Sequence, residues 1–462
     1  MTPRTADVPE LLATVERVTR ARDAYLADLP ISRIVTLLDR VGSRWLDPSS
    51  HYRREAERRL PSITGYSEPA VRKGLASLLG LLRRENLERL IEREVDDPRL
   101  LDEFRLHGRG AGLTRAFGPR LVVHIWSGNV PGLPMQSLIN ATLVKSASIG
   151  KVASEEPLFA QLFLESISEV DPRLADCFAV LSWKGGNHDL ERAAFDRADA
   201  VIAYGSAAAM EAIRAQVPRT TRLIEYGHKL SFGVVCREAL TQAGAAETAA
   251  RAAYDVAKYD QQGCLSPHVF YVETGGEVSP QSFSRLVGDQ LAACQETVPR
   301  GELTLEERVA SAQVRQSYEL IQSAGSSVQV AASPGAWTVI YTADPTFQAS
   351  CLNRTIFVKP VGDAAVEVPT LVSPARHYLQ TCGVAAEMAN LRRLAEQLGR
   401  AGLDRICPLG RMADVAPEWH HDGHFNLLEL LRWTDLEPDG SAGRWEFAHP
   451  LDGLYGREKE NL

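Results

Sequence analysis

Up to about residue 115 the apolar positions recur every third or fourth residue between charged ones. "ATVERVTRARDAYLADL", "ISRIVTLLDRVGSRWL" and "VRKGLASLLGLLRRENLERLIEREV" each carry one such stripe, which predicts amphipathic helices. They read as packing elements without chemistry of their own. From "FGPRLVVHIW" onward the texture changes, and short β-branched runs alternate with amphipathic stretches. "RLVVHIW" precedes "GLPMQSLINATLVKS", "ASIGKVA" precedes "EEPLFAQLFLESISEV", and "CFAVLSW" precedes "NHDLERAAFDR". "ADAVIAYG" precedes "SAAAMEAIRAQV", and "TTRLIEYG" closes the series. Strand–helix alternation at this spacing predicts a parallel sheet covered by helices on both faces.

The fold class is therefore α/β with a helical N-terminal region. Four segments are expected: helices over 1–115, a candidate nucleotide domain over 116–255, a second α/β unit over 256–410, and a tail over 411–462. "TAARAAYDVAKYD" predicts a helix leading to Cys264, and "HVFYVE", "GAWTVIYTA" and "RTIFVKPV" read as strands of the second unit. The tail is rich in Trp, His and Gly and reads as irregular. Ligands of such sheets bind at the carboxyl ends of the strands, beside helix N-termini.

Composition narrows the class. The chain has 462 residues, 45% hydrophobic and 24% charged, which is ordinary globular material too long for one small core. Lys plus Arg total 51 against 59 Asp plus Glu, a formal charge of −8 that gives no reason to expect a nucleic-acid or anionic-membrane partner. The seven cysteines (177, 236, 264, 294, 351, 382, 407) never form a C-x-x-C and read as reduced thiols, without a disulfide framework or a cysteine-based zinc site. The N-terminus lacks an apolar signal region and no uncharged apolar run approaches a membrane span, so a soluble cytoplasmic protein is expected.

Four stretches carry candidate chemistry. In "YDQQGCLSPH" Cys264 follows Gly263, which leaves room for a substrate, and Gln261 and Gln262, which argue against a greasy slot. Alone, such a cysteine is more often a buried small residue than a nucleophile. His268 sits within a strand pattern and receives no role. In "LIEYGHKLSFGVV" Glu225 ends an apolar strand before Gly227, where a carboxylate can act as a base; its plainer reading is a solvated acid in a turn. In "WSGNVPG" a strand ending at Trp126 passes into a turn, with Pro131 opening the next helix. The Asn129 amide there can meet an oxyanion, or serve simply as a turn residue. In "AYGSAAAMEAIR" Gly205 and Ser206 open a helix directly after a strand, a weak phosphate-binding signal.

Taken in order, these stretches resemble the aldehyde dehydrogenase superfamily. "NVP" matches the family's turn with the oxyanion asparagine, at Asn129. Lys151 in "IGKVASEEP" matches the lysine that holds the adenosine ribose, and Gly205-Ser206 the dipeptide beneath the pyrophosphate. "EYGHK" matches the segment of the catalytic glutamate, at Glu225, and "QQGC" the run before the nucleophilic cysteine. The finer texture, "SGNVPG", "YGHKLSFGVV", "YDQQGCLSPH" and "CPLGRM…PEWHHDG", is similar to the LuxC-type acyl-CoA reductases, the fatty-acyl reductases of bacterial bioluminescence, over about residues 105 to 435. In that context Cys264 is the expected nucleophile.

The resemblance implies an aldehyde-dehydrogenase-like fold and NADPH-dependent reduction of an acyl thioester, on CoA or a carrier protein, to the aldehyde through thioacyl-Cys264. Asn129 and the Cys264 backbone N–H would stabilise the oxyanion, Glu225 would move protons or activate water, and Lys151, Ser154, Gly205, Ser206, Trp126 and Gly227 would line the cofactor site. It further implies a homo-oligomer and an acyl-protein synthetase partner. Ser154 stands where many NAD-using relatives place a glutamate, which favours NADPH, with Glu155 alongside. Thr355 stands where the family's carboxylate grips the nicotinamide ribose. His420, His421 and Asp422 in "HHDGH" read as a polar lid rather than a metal site. The alternatives are an aldehyde dehydrogenase running toward the acid and a non-catalytic acyl-carrying subunit.

Overall fold

A computed structural model describes residues 6–107, 112–130 and 132–437. The alternation that begins at Leu121 builds a five-stranded, wholly parallel sheet in the order Phe178–Leu181, Ala147–Lys151, Leu121–Ile125, Ala200–Tyr204, Arg222–Tyr226. The chain steps outward from Leu121–Ile125 in one direction, then returns and steps outward in the other. That reversal opens a crevice at the carboxyl ends of Leu121–Ile125 and Ala200–Tyr204, the usual ligand position in such a sheet. The strands are apolar almost throughout because both faces are covered.

Helices Ile31–Leu46, His51–Thr64, Glu68–Leu79 and Arg84–Val95 share one core with a face of this sheet, in which Trp45, Leu38 and Leu79 meet Val122, Ile202 and Tyr226. Trp45 lies fully buried there and donates its Nε1–H to Ser166 Oγ at 2.8 Å. Helix Val8–Ala24 covers the opposite face through Leu11, Val15 and Val18.

The second sheet has seven strands in the order Gln329–Ser333, Trp337–Tyr341, Thr355–Val361, Pro267–Glu273, Leu230–Val235, Leu379–Ala385, Arg405–Pro408, parallel except for the first. The expected boundary near residue 255 is corrected here. Leu230–Val235 hydrogen-bonds inside the second sheet, and helix Ala245–Ala257 packs on it through Ala249, Ala253 and Val256, so the crossover falls between Tyr226 and Leu230. A strand buried on both faces carries no local mark of the sheet it will join.

The tail is more ordered than expected. Strand Arg432–Leu436 pairs antiparallel with Leu113–Phe117, which also pairs with Arg105–Leu106. Just before it, the buried Glu94 carboxylate accepts the backbone N–H groups of Asn426, Leu427 and Leu428 at 2.9, 2.6 and 3.2 Å. This clip fastens the chain after residue 420 to the end of helix Arg84–Val95. Residues 438–462 of the expected tail lie outside the described residues, as does Pro131, the expected opener of the helix that spans Leu133–Leu143.

Candidate active site

Helix Ala245–Ala257 gives way to an unusual backbone. Tyr259, Asp260 and Gln261 are consecutive left-handed residues with φ of 52°, 48° and 67°. Facing them, Leu352, Asn353 and Arg354 form a second left-handed run with φ of 63°, 56° and 58°. Such residues cost about 1–3 kcal/mol each and persist only where surroundings over-determine them. The two runs lock each other. Arg354, with no exposed surface, donates to Asp260 Oδ1 at 2.7 Å, Gln295 Oε1 at 3.1 Å and Val298 O at 2.9 Å. Gln261 accepts the Thr355 N–H at 2.9 Å and donates to Thr355 O at 2.9 Å and Pro267 O at 2.6 Å. Gln262 donates to Asn353 Oδ1 at 2.7 Å. The two glutamines that look like an open polar site in the sequence are framework, and Thr355 is buried in the same clamp rather than facing a ligand.

The frame delivers Cys264 three residues before the central strand Pro267–Glu273. Of the seven cysteines it alone is exposed. Its carbonyl accepts from Ser231 Oγ at 2.7 Å, and Ser231 Oγ in turn accepts the Thr381 N–H at 3.2 Å. The neighbouring amides of Gln380, Cys264 and Leu265 act to favour the thiolate. Against them, burial and then the charge of Asp422 push the thiol up to about 11. A Cβ at Gly263 would meet only Ser266 Oγ, at 3.5 Å, which leaves space beside the thiol.

The candidate residues are placed unevenly. Asn129 reaches the cysteine loop, its Nδ2 donating to Gln262 O at 3.2 Å, while Tyr66 Oη steadies its carbonyl at 2.8 Å. Glu225 stands near the end of its strand and is engaged away from the cysteine loop's hydrogen bonds. One of its oxygens is paired with Arg214 and the other is buried without a hydrogen bond. The next residue, Tyr226, is on the opposite face of the strand, where it stacks on His421 at 4.0 Å and on Tyr204 at 4.7 Å. His268 is buried and accepts the Ser350 N–H at 3.1 Å, a loop anchor whose burial lowers it to about 4.

The residue that the sequence reading left in a polar lid is Asp422. Its carboxylate is 3% exposed, accepts from Gln380 Nε2 through Oδ1, and has Lys229 Nζ at 3.8 Å from Oδ2. The rings of His420 and His421 are spent on aromatic contacts, His420 against Phe425 at 4.8 Å and His421 against Trp419 at 4.8 Å as well as Tyr226. The signal for Asp422 is faint: an aspartate before glycine, where backbone of positive φ is common.

At the crevice of the five-stranded sheet, Lys151 ends its strand half-buried, and burial pulls its ammonium below the ordinary range. It makes no hydrogen bond or ion pair among the described residues. The buried indole N–H of Trp183, two residues beyond Leu181, also lacks a partner. Ser206 caps helix Ala207–Arg214, accepting the Ala209 N–H at 3.3 Å, directly after Gly205. Ser154 and Glu155 are exposed beside Lys151, and Gly227 leaves room under Met210, whose Cγ would lie 3.8 Å from an added Cβ. An unpaired cation, an orphaned donor and a capped helix start fit a nucleotide with phosphate and ribose groups. Trp126 differs from expectation: its ring is buried against Gly150 and its Nε1 donates to Ser137 Oγ at 2.8 Å, so it shapes the crevice from beneath.

This arrangement is an aldehyde-dehydrogenase-like fold. The chain superposes on the aldehyde dehydrogenase PutA of Anabaena variabilis with a TM-score of 0.69 at 18% identity, over 97% of this chain and 96% of that one. On lactaldehyde dehydrogenase of Escherichia coli the TM-score is 0.70 at 14% identity, over 94% and 92%. Within that class the chain belongs to the acyl-CoA reductase (LuxC) family, whose model matches residues 26–433. It is 27% identical over 418 residues to the long-chain acyl-protein thioester reductase of Aliivibrio fischeri, covering 89% of this chain and 83% of the relative. To the enzyme of the same name from Vibrio harveyi it is 24% identical over 419 residues, covering 89% and 84%. No helix among the described residues is long and apolar enough to cross a membrane.

Proposed function

We propose that the protein reduces an acyl thioester, carried by CoA or by a protein, to the aldehyde through a thioacyl intermediate on Cys264, with NADPH as cofactor. The observation that carries this reading is the one exposed cysteine, held on an interlocked, strained frame. The Cys264 thiolate adds to the thioester carbonyl. Asn129 Nδ2 exchanges its bond to Gln262 O for the oxyanion, joined by the Cys264 N–H. Collapse expels the donor thiol and leaves the acyl group on sulfur, which donates poorly into the carbonyl and keeps its carbon electrophilic. When bound, a reduced nicotinamide nucleotide supplies the hydride. Lys151 and the Ser206 helix start would hold its ribose and phosphates. The thiohemiacetal on Cys264 then breaks to aldehyde and free thiol. Glu225, released from Arg214, would activate water only in the competing hydrolysis of the acyl-enzyme.

Steady-state assay separates this reading from its neighbours. Acyl-CoA with NADPH is expected to yield aldehyde and one free thiol per nucleotide oxidised. Acid formed from aldehyde and NAD without CoA, and no reaction in the reductive direction, would replace it with the oxidising dehydrogenase. The choice of NADPH rests on exposed Ser154, at the position where a glutamate would repel a 2′-phosphate. Ser154→Glu is expected to raise KM for NADPH roughly tenfold and leave that for NADH within about twofold. Equal effects on both nucleotides would remove the assignment. By family likeness we extend the reading to a homo-oligomer that receives its acyl group from an acyl-protein synthetase.

A further inference from the structure

We infer that Asp422 is the base of the acylation step, taking the Cys264 proton as sulfur attacks and returning it to the departing thiol. The inference rests on the proposed thioester chemistry and assigns its first proton transfer to a carboxylate outside the residues singled out for catalysis. Asp422 stands on a tight turn, with φ of 52° at Asp422 and 80° at Gly423, closed by His424 N–H to His421 O at 3.0 Å. Two contacts aim that turn. His421 is stacked on Tyr226 from the nucleotide sheet, and a side chain at Gly423 would collide with Asp404 Oδ1 at 2.9 Å. The carboxylate is thereby buried at the start of strand Leu379–Ala385, where Gln380 donates to Asp422 Oδ1 and the next residue, Thr381, is tied to the Cys264 carbonyl through the Ser231 hydroxyl. Asp422 Oδ2 has the Lys229 ammonium at 3.8 Å and makes no hydrogen bond among the described residues, so its lone pairs are open to a thiol proton.

The charges around the pair are few. Asp422 faces Lys229, His424, His421 and Asp404, and Lys229 divides its charge between Asp422 and Asp404, whose Oδ2 lies 3.3 Å away. The Asp422 charge acts on Cys264, the Tyr204 phenol lies near both, and the Tyr226 phenol near Asp422. A thiol at about 11 is ionised in roughly one molecule in ten thousand at pH 7, so attack needs an acceptor close by. Burial raises the Asp422 carboxyl above the ordinary aspartate range and makes it a better acceptor. Atoms balance without an external reagent. The S–H bond breaks and an O–H bond forms on Asp422, the new C–S bond replaces the old one, and the proton ends on the expelled thiolate.

The test uses two readouts on which base and scaffold differ. In the full-length protein without nucleotide, the acylation rate of Cys264 by an acyl-CoA is followed by intact mass, and its alkylation by iodoacetamide is followed against pH. Asp422→Asn, which keeps an oxygen for Gln380, is expected to slow acylation by about 10²–10⁴-fold. Removing the charge is expected to shift the alkylation midpoint to lower pH, so the thiol becomes easier to ionise while the enzyme becomes slower. Asp422→Gly, suited to the positive φ, is expected to regain acylation when formate is added. Acylation by Asp422→Asn at the wild-type rate would overturn the inference, as would an unmoved alkylation midpoint or a Gly variant indifferent to formate. A wild-type protein that takes no acyl group from any donor would instead overturn the thioester reading itself.

Discussion

Cys264→Ala is expected to take up no acyl group and to lose turnover on the order of a millionfold. The measurement is intact mass after mixing with a panel of acyl-CoAs without nucleotide. Wild type should gain one acyl group, which NADPH then discharges. The size of the effect follows from covalent catalysis, because without the sulfur no other group forms the intermediate that splits the reaction in two. Cys294 and Cys351, half-buried, are the next most accessible thiols, and the other four cysteines are buried. An adduct that persists in Cys264→Ala would move the nucleophile to one of them and undo the assignment.

The second large effect belongs to a residue that touches no substrate. Arg354→Met is expected to destabilise the catalytic unit by about 3–5 kcal/mol, because it leaves Asp260 buried without its cation. It also takes the guanidinium's hydrogen bond from Val298 O and leaves Gln295 Oε1 with the Arg300 N–H. With the guanidinium gone, the left-handed runs at 259–261 and 352–354 lose one of the ties that oppose their strain, and the Cys264 loop should relax. Urea unfolding followed at the tryptophans, together with hydrogen exchange at residues 259–265, would show it. The double variant Arg354→Met with Asp260→Asn should recover part of the loss, since the uncompensated charge is then gone. A single variant as stable as wild type, with unchanged exchange at the loop, would show that the ion pair is not what holds the turns.

These expectations show where sequence reading succeeds. The first sheet was legible because its strands from Leu121 to Tyr204 are short, apolar and each followed by an amphipathic helix, with Arg222–Tyr226 closing the series. Leu230–Val235 was misassigned because a strand buried on both faces has no partner written in it. The role proposed for Cys264 rests on its motif, and the motif's glutamines, which argued against a greasy slot, are polar because Gln261 and Gln262 satisfy backbone and side chains across the fold. The opposing run at Leu352–Arg354 carries no glycine to flag its positive φ. Its conformation is imposed by contacts about ninety residues away in the chain, which no local pattern records. Asp422 was hidden for the same reason, being a carboxylate that becomes chemical only when strand Leu379–Ala385 brings Gln380 beneath it.

The Glu94 clip has a bearing on biosynthesis. A ribosome making this chain has released Cys264, its strained frame and much of the second sheet long before Asn426, Leu427 and Leu428 exist to be gathered by that carboxylate. Until they emerge, the turn bearing Asp422 lacks this anchor to helix Arg84–Val95. On the proposed mechanism, a nascent polypeptide without those residues carries the Cys264 sulfur but not the anchored carboxylate that loads it.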